Sequence, residues 1–401
     1  MVKANHNPPV DERNTGTCLP TGIYIHVPFC LRRCRYCDFF STEKTDLIDG
    51  FVEACTKEIA MAVVDSPDVD SIYFGGGTPS LLSPSRVALL LDVLSGFVNL
   101  APDTEITLEA NPGTVDLNSL KGYRLAGVNR LNLGVQSFDD GVLDFLGRIH
   151  TGGAAMEAID MARRAGFDNL GIDLIYGMAG QTSGMWEADL AKAVSACPEH
   201  VSCYMLTVEG DTEFAALERQ GRTVCLDDGQ VAGLFLQTVV FLENAGWRQY
   251  EISNFARPAS GSCRDFRSRH NSKYWSFHPY LGLGPSAHSF DGGRKRSWNH
   301  GSLEKYLATV SRGRLPGQGR EVLTTEQRFL ERVYLGLRTC SGLDLIGLKH
   351  DFPDLFPAFS RALDVITRQD LAGQDGRYLR LNLKGMLRLD GICRHVADLI
   401  Y

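Results

Sequence analysis

From residue 22 onward, short apolar, β-prone runs alternate with longer stretches whose apolar residues recur at helical spacing. The runs predict strands at 22–29, 71–75, 105–110, 130–136, 170–176 and 201–208. The stretches between them predict helices at 46–64, 84–98, 116–126, 152–165 and 186–195. Parallel neighbours need crossover connections, so this alternation implies a parallel sheet. Six such units in roughly 190 residues suit either a partial barrel or an open doubly wound sheet. Both architectures place ligands at the carboxyl ends of the strands.

After Glu209 the rhythm changes. A helix is predicted at 228–245, and the aromatic and Arg-rich stretch 250–278 has no clear period. From about 324 the pattern reads helix, helix, helix, a strand pair around 378–388 and a last helix, a winged-helix-like order. The chain therefore divides into a flexible tail at 1–21, a βα core at 22–245, a connecting region at 246–320 and a smaller, mainly helical domain at 321–401. Winged helices often read DNA, but 41 Lys plus Arg stand against 48 Asp plus Glu, a net charge of -7. That acidity argues against a nucleic-acid partner and favours a structural or protein-contact role for the small domain. The first twenty residues have no apolar core for a signal peptide and carry Asp11 and Glu12. No apolar run approaches roughly 18 residues, so no integral membrane segment is predicted. The expected setting is cytoplasmic.

In a reducing compartment, 11 cysteines of 401 residues do not read as disulfides, and clustered ones suggest metal. Cys30, Cys34 and Cys37 are spaced C-x3-C-x2-C directly after the first predicted strand, a spacing that chance would give about 0.008 times per chain of this composition. Zinc would need a fourth ligand, for which only His26 and Asp38 lie nearby, and no second paired motif exists. Three thiolates fit a 4Fe-4S cluster with one iron left open. The second strand ends in Gly75-Gly76-Gly77-Thr78-Pro79, where bare backbone can approach a ligand. The third, fourth and fifth strands carry Glu109, Gln136 and Asp173 among apolar neighbours, and Arg148 follows in Gly-Arg-Ile-His. One such buried polar residue is as easily a satisfied core group as a ligand contact, but a set aimed at one crevice suggests a shared ligand.

The cysteine spacing after a first strand, followed by a glycine-rich turn, resembles the radical S-adenosylmethionine (SAM) superfamily, in its coproporphyrinogen III oxidase-like branch. The likeness covers roughly residues 22–400. It implies a partial parallel (β/α)6 barrel, a 4Fe-4S cluster on Cys30, Cys34 and Cys37, and S-adenosyl-L-methionine chelated by the open iron. A reduced cluster of this kind passes an electron to the sulfonium and yields a 5′-deoxyadenosyl radical. SAM contacts carried over by the resemblance are Tyr24, Gly76, Gly77, Thr78, Glu109, Gln136, Arg148 and Asp173. An electron donor to the cluster is implied as a partner. Gly282-Leu-Gly284-Pro-Ser-Ala287 imitates a dinucleotide fingerprint, but His288-Ser-Phe-Asp-Gly-Gly cannot continue as the required helix.

Two functions compete within the branch. The oxidase, which decarboxylates coproporphyrinogen III to protoporphyrinogen IX, has a further cysteine two positions after the third, where this chain has Phe39. The heme chaperone type carries H-N-x-x-Y-W, matched in full by His270, Asn271, Tyr274 and Trp275. Arg264, Arg267, Arg269 and Lys273 could pair with propionates, the aromatics could face a macrocycle, and His270 could ligate iron, with Cys263 a weaker candidate; on side-chain chemistry alone, Arg-His-Asn could equally decorate a strand end and the aromatics fill core. The expectation is a heme-binding chaperone that serves heme-accepting proteins, with the oxidase as the alternative. No catalytic residue is assigned.

Overall fold

The computed structural model describes residues 19–222, 224–258 and 264–401. Cys18, the first 18 residues and Cys263 therefore lie outside the described residues. Six parallel strands, β1 (Thr21–Val27), β2 (Asp68–Gly76), β3 (Asn99–Ala110), β4 (Arg130–Gln136), β5 (Leu170–Tyr176) and β6 (His200–Met205), lie side by side in chain order. A doubly wound sheet would reverse its order at a switch point. This one does not, so the partial-barrel alternative is the observed one.

The connections carry α1 (Ile48–Ala62), α2 (Pro84–Ser95), α3 (Leu117–Leu125), α4 (Asp140–Leu146), α5 (Gly152–Arg164) and α6 (Ser183–Ser195). Asp116, Thr151 and Thr182 cap α3, α5 and α6 by accepting a backbone N–H of the first turn, which is why those helices start where they do. α4 has no counterpart among the helices the sequence predicts, because its seven residues are too short to show a period. α7 (Glu213–Arg219) and α8 (Asp228–Asn244) follow.

The strands are two-faced, unlike the uniformly apolar strands of most parallel sheets. Ile23, Ile25, Ile72, Phe74, Leu131, Leu133, Ile172 and Leu174 are fully buried in the main apolar core. The alternate positions carry Tyr24, His26, Tyr73, Glu105, Glu109, Asn132 and Asp173, so the other face of the sheet, the barrel interior, is polar.

β7 (Arg248–Gln249) and β8 (Asn254–Ala256) extend the β6 edge. After α9 (Arg269–Trp275), β9 (Tyr280–Leu283) pairs parallel with β1, and β10 (His288–Phe290), β11 (Lys295–Asn299) and, beyond α10 (Leu303–Val310), β12 (Gly317–Val322) continue that edge antiparallel. The segment after Ala287 is thus strand, not the helix a dinucleotide site needs.

The C-terminal part has α11 (Thr325–Arg338), β13 (Leu343–Asp344), α12 (Leu345–Asp351), α13 (Phe356–Arg368), β14 (Ala372–Asp375), β15 (Tyr378–Leu381), α14 (Leu383–Met386) and α15 (Leu389–Ile400). Phe329, Val333 and Leu337 of α11 meet Phe359, Ala362 and Ile366 of α13 in a helical core beside a small β13-β15-β14 sheet. The strand pair lies earlier than expected. The Asn382 side chain accepts from Gly385 N and starts α14, so the apolar residues after Leu381 turn helical.

Candidate cluster and cofactor cavity

A cavity of about 590 Å³ opens at the carboxyl ends of the parallel strands. It is lined by Cys30, Cys34 and Cys37, by Gly76, Gly77 and Thr78, and by Glu109, Gln136, Arg148 and Asp173. Residues far apart in the chain converge because each sits at or just beyond the same end of a neighbouring strand.

The cysteine loop is held by its backbone. Cys30 N donates to Thr42 O at 2.9 Å and Thr42 N to Pro28 O at 2.7 Å, closing the loop over β1. On its far side Arg35 N donates to Leu146 O, and Arg32 Nη2 donates to the carbonyls of Gly147 and Arg148 at 2.9 and 2.7 Å. Thr78 Oγ1 lies 3.6 Å from Cys30 Sγ, and Arg148 Nη1 lies 3.4 Å from Cys34 Sγ. Burial, above all, pushes the Cys37 thiol up to about 11 and raises Cys30 as well. Among the described residues no three His, Cys, Asp or Glu side chains stand close enough to share one metal ion.

The glycine turn must be glycine. Gly76 has φ +110°, and a Cβ there would meet the His26 ring at 2.7 Å. A Cβ on Gly77 would lie 2.7 Å from Phe29 O. Bare backbone lets the turn lie flat against the cysteine loop, joined by Gly77 N to Val27 O and Thr78 N to Phe29 O at 2.8 and 2.7 Å.

Opposite the cysteines, Glu109 Oε1 accepts the Tyr73 hydroxyl at 2.7 Å. Burial raises the Glu109 carboxyl to about 7, with the Tyr73 bond opposing and Asp173 reinforcing the rise. Burial also raises Asp173, which accepts from Asn132 Nδ2. A register shift at the end of β4 puts Gln136 at φ +69°, a strained conformation for a side-chain-bearing residue. Arg148 Nη2 donates to Gly134 O at 2.6 Å. Arg148 Nε and Asp173 Oδ1 are buried without a hydrogen-bond partner. Such groups cost free energy until something pairs with them.

Tyr24 and the His270 motif are not on this cavity. The Tyr24 hydroxyl meets His26 Nδ1 at 3.2 Å, and its ring stacks beside Tyr73 and His270. α9 closes the amino end of the barrel, where Glu105 accepts its first N–H groups from Arg269 and His270. His270 is 1% exposed, and both ring nitrogens are engaged, Nδ1 with Ser71 Oγ at 3.1 Å and Nε2 with the Tyr274 hydroxyl at 2.9 Å. Burial, then the nearby Lys273 charge, lower its pKa to about 3. Asn271 is half-buried. Trp275 lies under the Arg338 guanidinium of α11, 4.6 Å from the ring centre, and Arg338 pairs with the buried Glu251 at 2.7 Å. The four cations expected to meet propionates have carboxylate partners already: Arg264 with Asp168, Arg267 with Asp265, Arg269 with Asp103 and Lys273 with Asp70.

Sequence reasoning passed over Asn132 and Tyr73. The signal was present, since Asn132 alternates with Gly134 and Gln136 on one face of β4 and Tyr73 alternates with Gly75 on β2.

Comparison with known proteins agrees with this layout. The family model described as Radical SAM superfamily matches residues 24–193, and that described as HemN C-terminal domain matches 323–388. The chain is 36% identical to the heme chaperone HemW of Mycobacterium tuberculosis over 94% of both chains. It is likewise 36% identical to HemW of Bacillus subtilis, over 80% of this chain and 84% of that protein. The solved coproporphyrinogen III oxidase HemN of Escherichia coli, a radical SAM enzyme, superposes with a TM-score of 0.80 at 25% identity, covering 94% of this chain and 90% of the other.

Proposed function

Because the chain belongs to the HemW family of heme chaperones within the radical SAM superfamily, we propose that it binds heme, a 4Fe-4S cluster and SAM, and delivers heme to acceptor proteins. The observation that carries this reading is the 36% identity to a heme chaperone over 94% of both chains, against 25% to the oxidase. Phe39 points the same way: it is 67% exposed on the cavity rim, at the position where the oxidase motif has a cysteine.

The cavity residues fit the cofactors. Cys30, Cys34 and Cys37 would hold three irons, leaving the fourth open to a small chelator. The backbone of Gly76 and Gly77 would take the amino group of SAM. Glu109, Gln136, Arg148 and Asp173 would meet its hydroxyl, carboxylate and neighbouring polar atoms, pairing the buried Arg148 Nε and Asp173 Oδ1. When bound and reduced by an electron donor, the cluster supplies one electron to the sulfonium of SAM. The protein's part is to hold the thiolates and orient SAM on bare backbone. A reducing, cytoplasmic setting suits the free thiols.

Heme is assigned to the His270–Trp275 motif in a second conformation. In the present one Ser71 and Tyr274 occupy the imidazole nitrogens. Iron can reach Nε2 only after the Tyr274 bond breaks and α9 shifts from the barrel, which also costs α9 its bonds to the Glu105 carboxylate and the buried Lys273–Asp70 pair. Heme titration followed by absorbance tests the assignment. The wild type is expected to bind, and His270→Ala to bind at least about tenfold more weakly. Equal binding by the variant removes His270 as the ligand, and no binding by the wild type removes the chaperone reading. The likeness to HemN favours a second reading, decarboxylation of coproporphyrinogen III. Product formation by cluster-replete, anaerobic protein with SAM would establish it in place of the first.

A further inference from the structure

Between the cofactor cavity and α9 stand the rings of Tyr24 and Tyr73, neither of which lines the cavity, and of the two it is Tyr73 that bonds to a residue lining it. Tyr73 lies on the inward face of β2 and is 6% exposed. Its hydroxyl donates to Glu109 Oε1 at 2.7 Å, and Glu109 lines the cavity. Its ring stacks on His270, with centroids 5.2 Å apart and planes at 29°, and more distantly on Tyr24 at 6.2 Å and 25°. The next inward residue, Gly75, leaves room for this stack. A Cβ there would lie 2.9 Å from the Tyr24 ring and 3.0 Å from Tyr73 itself.

We propose that Tyr73 is a positioning residue for the SAM site, holding the Glu109 carboxylate toward the cavity and passing to it the state of the His270 side chain. The proposal rests on the reading of the cavity as a SAM site and adds to it a physical link with the heme motif. The geometry limits what can move independently. Tyr73, Tyr24 and His270 form a three-ring cluster in which His270 is the ring nearest Tyr73, so when His270 leaves it Tyr73 loses its closest stacking partner and its hydroxyl is held less firmly toward Glu109. Glu109 then loses the donor that favours its ionised form. Two ligands that bias one such element are coupled, and the coupling is reciprocal.

The groups facing Glu109 are few. Asp173 on β5 pushes its carboxyl up, as burial does, whereas Arg130 on β4 and the Gly76 N–H push it down along with Tyr73. The phenols of Tyr24 and Tyr274, also close, are held neutral by burial. The Tyr73 bond is therefore one of a small set that favours the ionised Glu109 carboxylate against the burial that raises it to about 7.

Equilibrium dialysis of SAM against cluster-reconstituted protein, from about pH 6 to about pH 9, tests the link. The wild type is expected to bind more tightly as pH rises through a midpoint near 7. Glu109→Gln should flatten that profile. Tyr73→Phe, which keeps the ring and removes the donor, should weaken binding about tenfold at neutral pH and move the midpoint upward. His270→Gln should move it the same way by less. A Tyr73→Phe profile lowered at all pH values with its midpoint unchanged would make Tyr73 merely structural and overturn the proposal. An unmoved midpoint in His270→Gln would overturn the link to the motif, and it decides alone if Tyr73→Phe fails to fold. Failure of the wild type to bind SAM at any pH would instead overturn the reading of the cavity itself.

Discussion

The two ends of the barrel carry motifs of similar length and treat them in opposite ways. At the carboxyl end, Cys30, Cys34, Cys37, Gly76 and Gly77 surround a cavity of about 590 Å³, beside polar atoms that no protein group pairs. At the amino end, His270 and Tyr274 bond to each other, Ser71 and the rings of β1 and β2 pack on them, and Arg338 covers Trp275. One end is left unsatisfied, as a site awaiting a ligand is. The other is packed shut by its own side chains, as a structural plug is: both His270 ring nitrogens have protein partners, although Trp275 Nε1 has none. Reactive-looking residues in a motif therefore do not by themselves make an open site. What distinguishes the two is whether the motif lines a cavity or is buried against neighbouring elements.

The largest expected effect is at the open end. Cys34→Ala should abolish the cluster, taking iron and acid-labile sulfide from about four per chain to near zero after anaerobic reconstitution, while the denaturation midpoint stays close to that of the cofactor-free wild type. Cluster content near the wild-type level would show that this cysteine is not a ligand.

The closed end should answer in stability. Arg338→Ala strips the partner from buried Glu251 and the cover from Trp275, and should destabilise the fold by about 3 kcal/mol in urea denaturation. Phe39→Ala, on the exposed rim of the open end, should cost less than about 0.5 kcal/mol. Equal costs would erase the distinction between plug and site.

A subtler contrast lies in pH. Glu109 has its carboxyl raised from 4.5 to about 7, so its contribution to stability is full below about 4.5 and is lost as pH rises to about 7. His270 is lowered from 6.5 to about 3, so its contribution is full above about 6.5 and is lost as pH falls to about 3. In the cofactor-free chain, Glu109→Gln should remove part of the loss on the alkaline side, and His270→Gln part of the loss on the acid side. Denaturant midpoints across that range check both signs.

The open end was legible in the sequence because its geometry is local. Three cysteines on one loop and a run of glycines fix backbone shape wherever the rest of the chain goes, and Glu109, Gln136, Arg148 and Asp173 then converge on the same cavity because the six strands run parallel in order. The alternation that gave the strands also held the polar interior, visible in Asn132 beside Gly134 and Gln136. The closed end was not legible. Residues 250–278 have no period, and what buries His270 is distant: Ser71 and Tyr73 on β2, Glu105 on β3, and Arg338 in the C-terminal helices. Propionate-binding cations could be proposed for the same region only because Asp70, Asp103 and Asp168, which already hold them, are invisible as partners until the sheet forms. The strand pair expected around 378–388 lies earlier, at β14 and β15, for a smaller reason: Asn382 caps a helix, which ends the strand at Leu381.

All the chemistry assigned to the carboxyl-end cavity depends on a cluster there with one iron free for SAM. Electron paramagnetic resonance of the reconstituted, reduced protein, recorded with and without SAM, tests it most directly. A 4Fe-4S signal whose line shape changes when SAM is added is expected, with Glu109→Gln needing more SAM for the same change. A signal unaltered by saturating SAM, or no cluster signal in protein with all three cysteines intact, would contradict it.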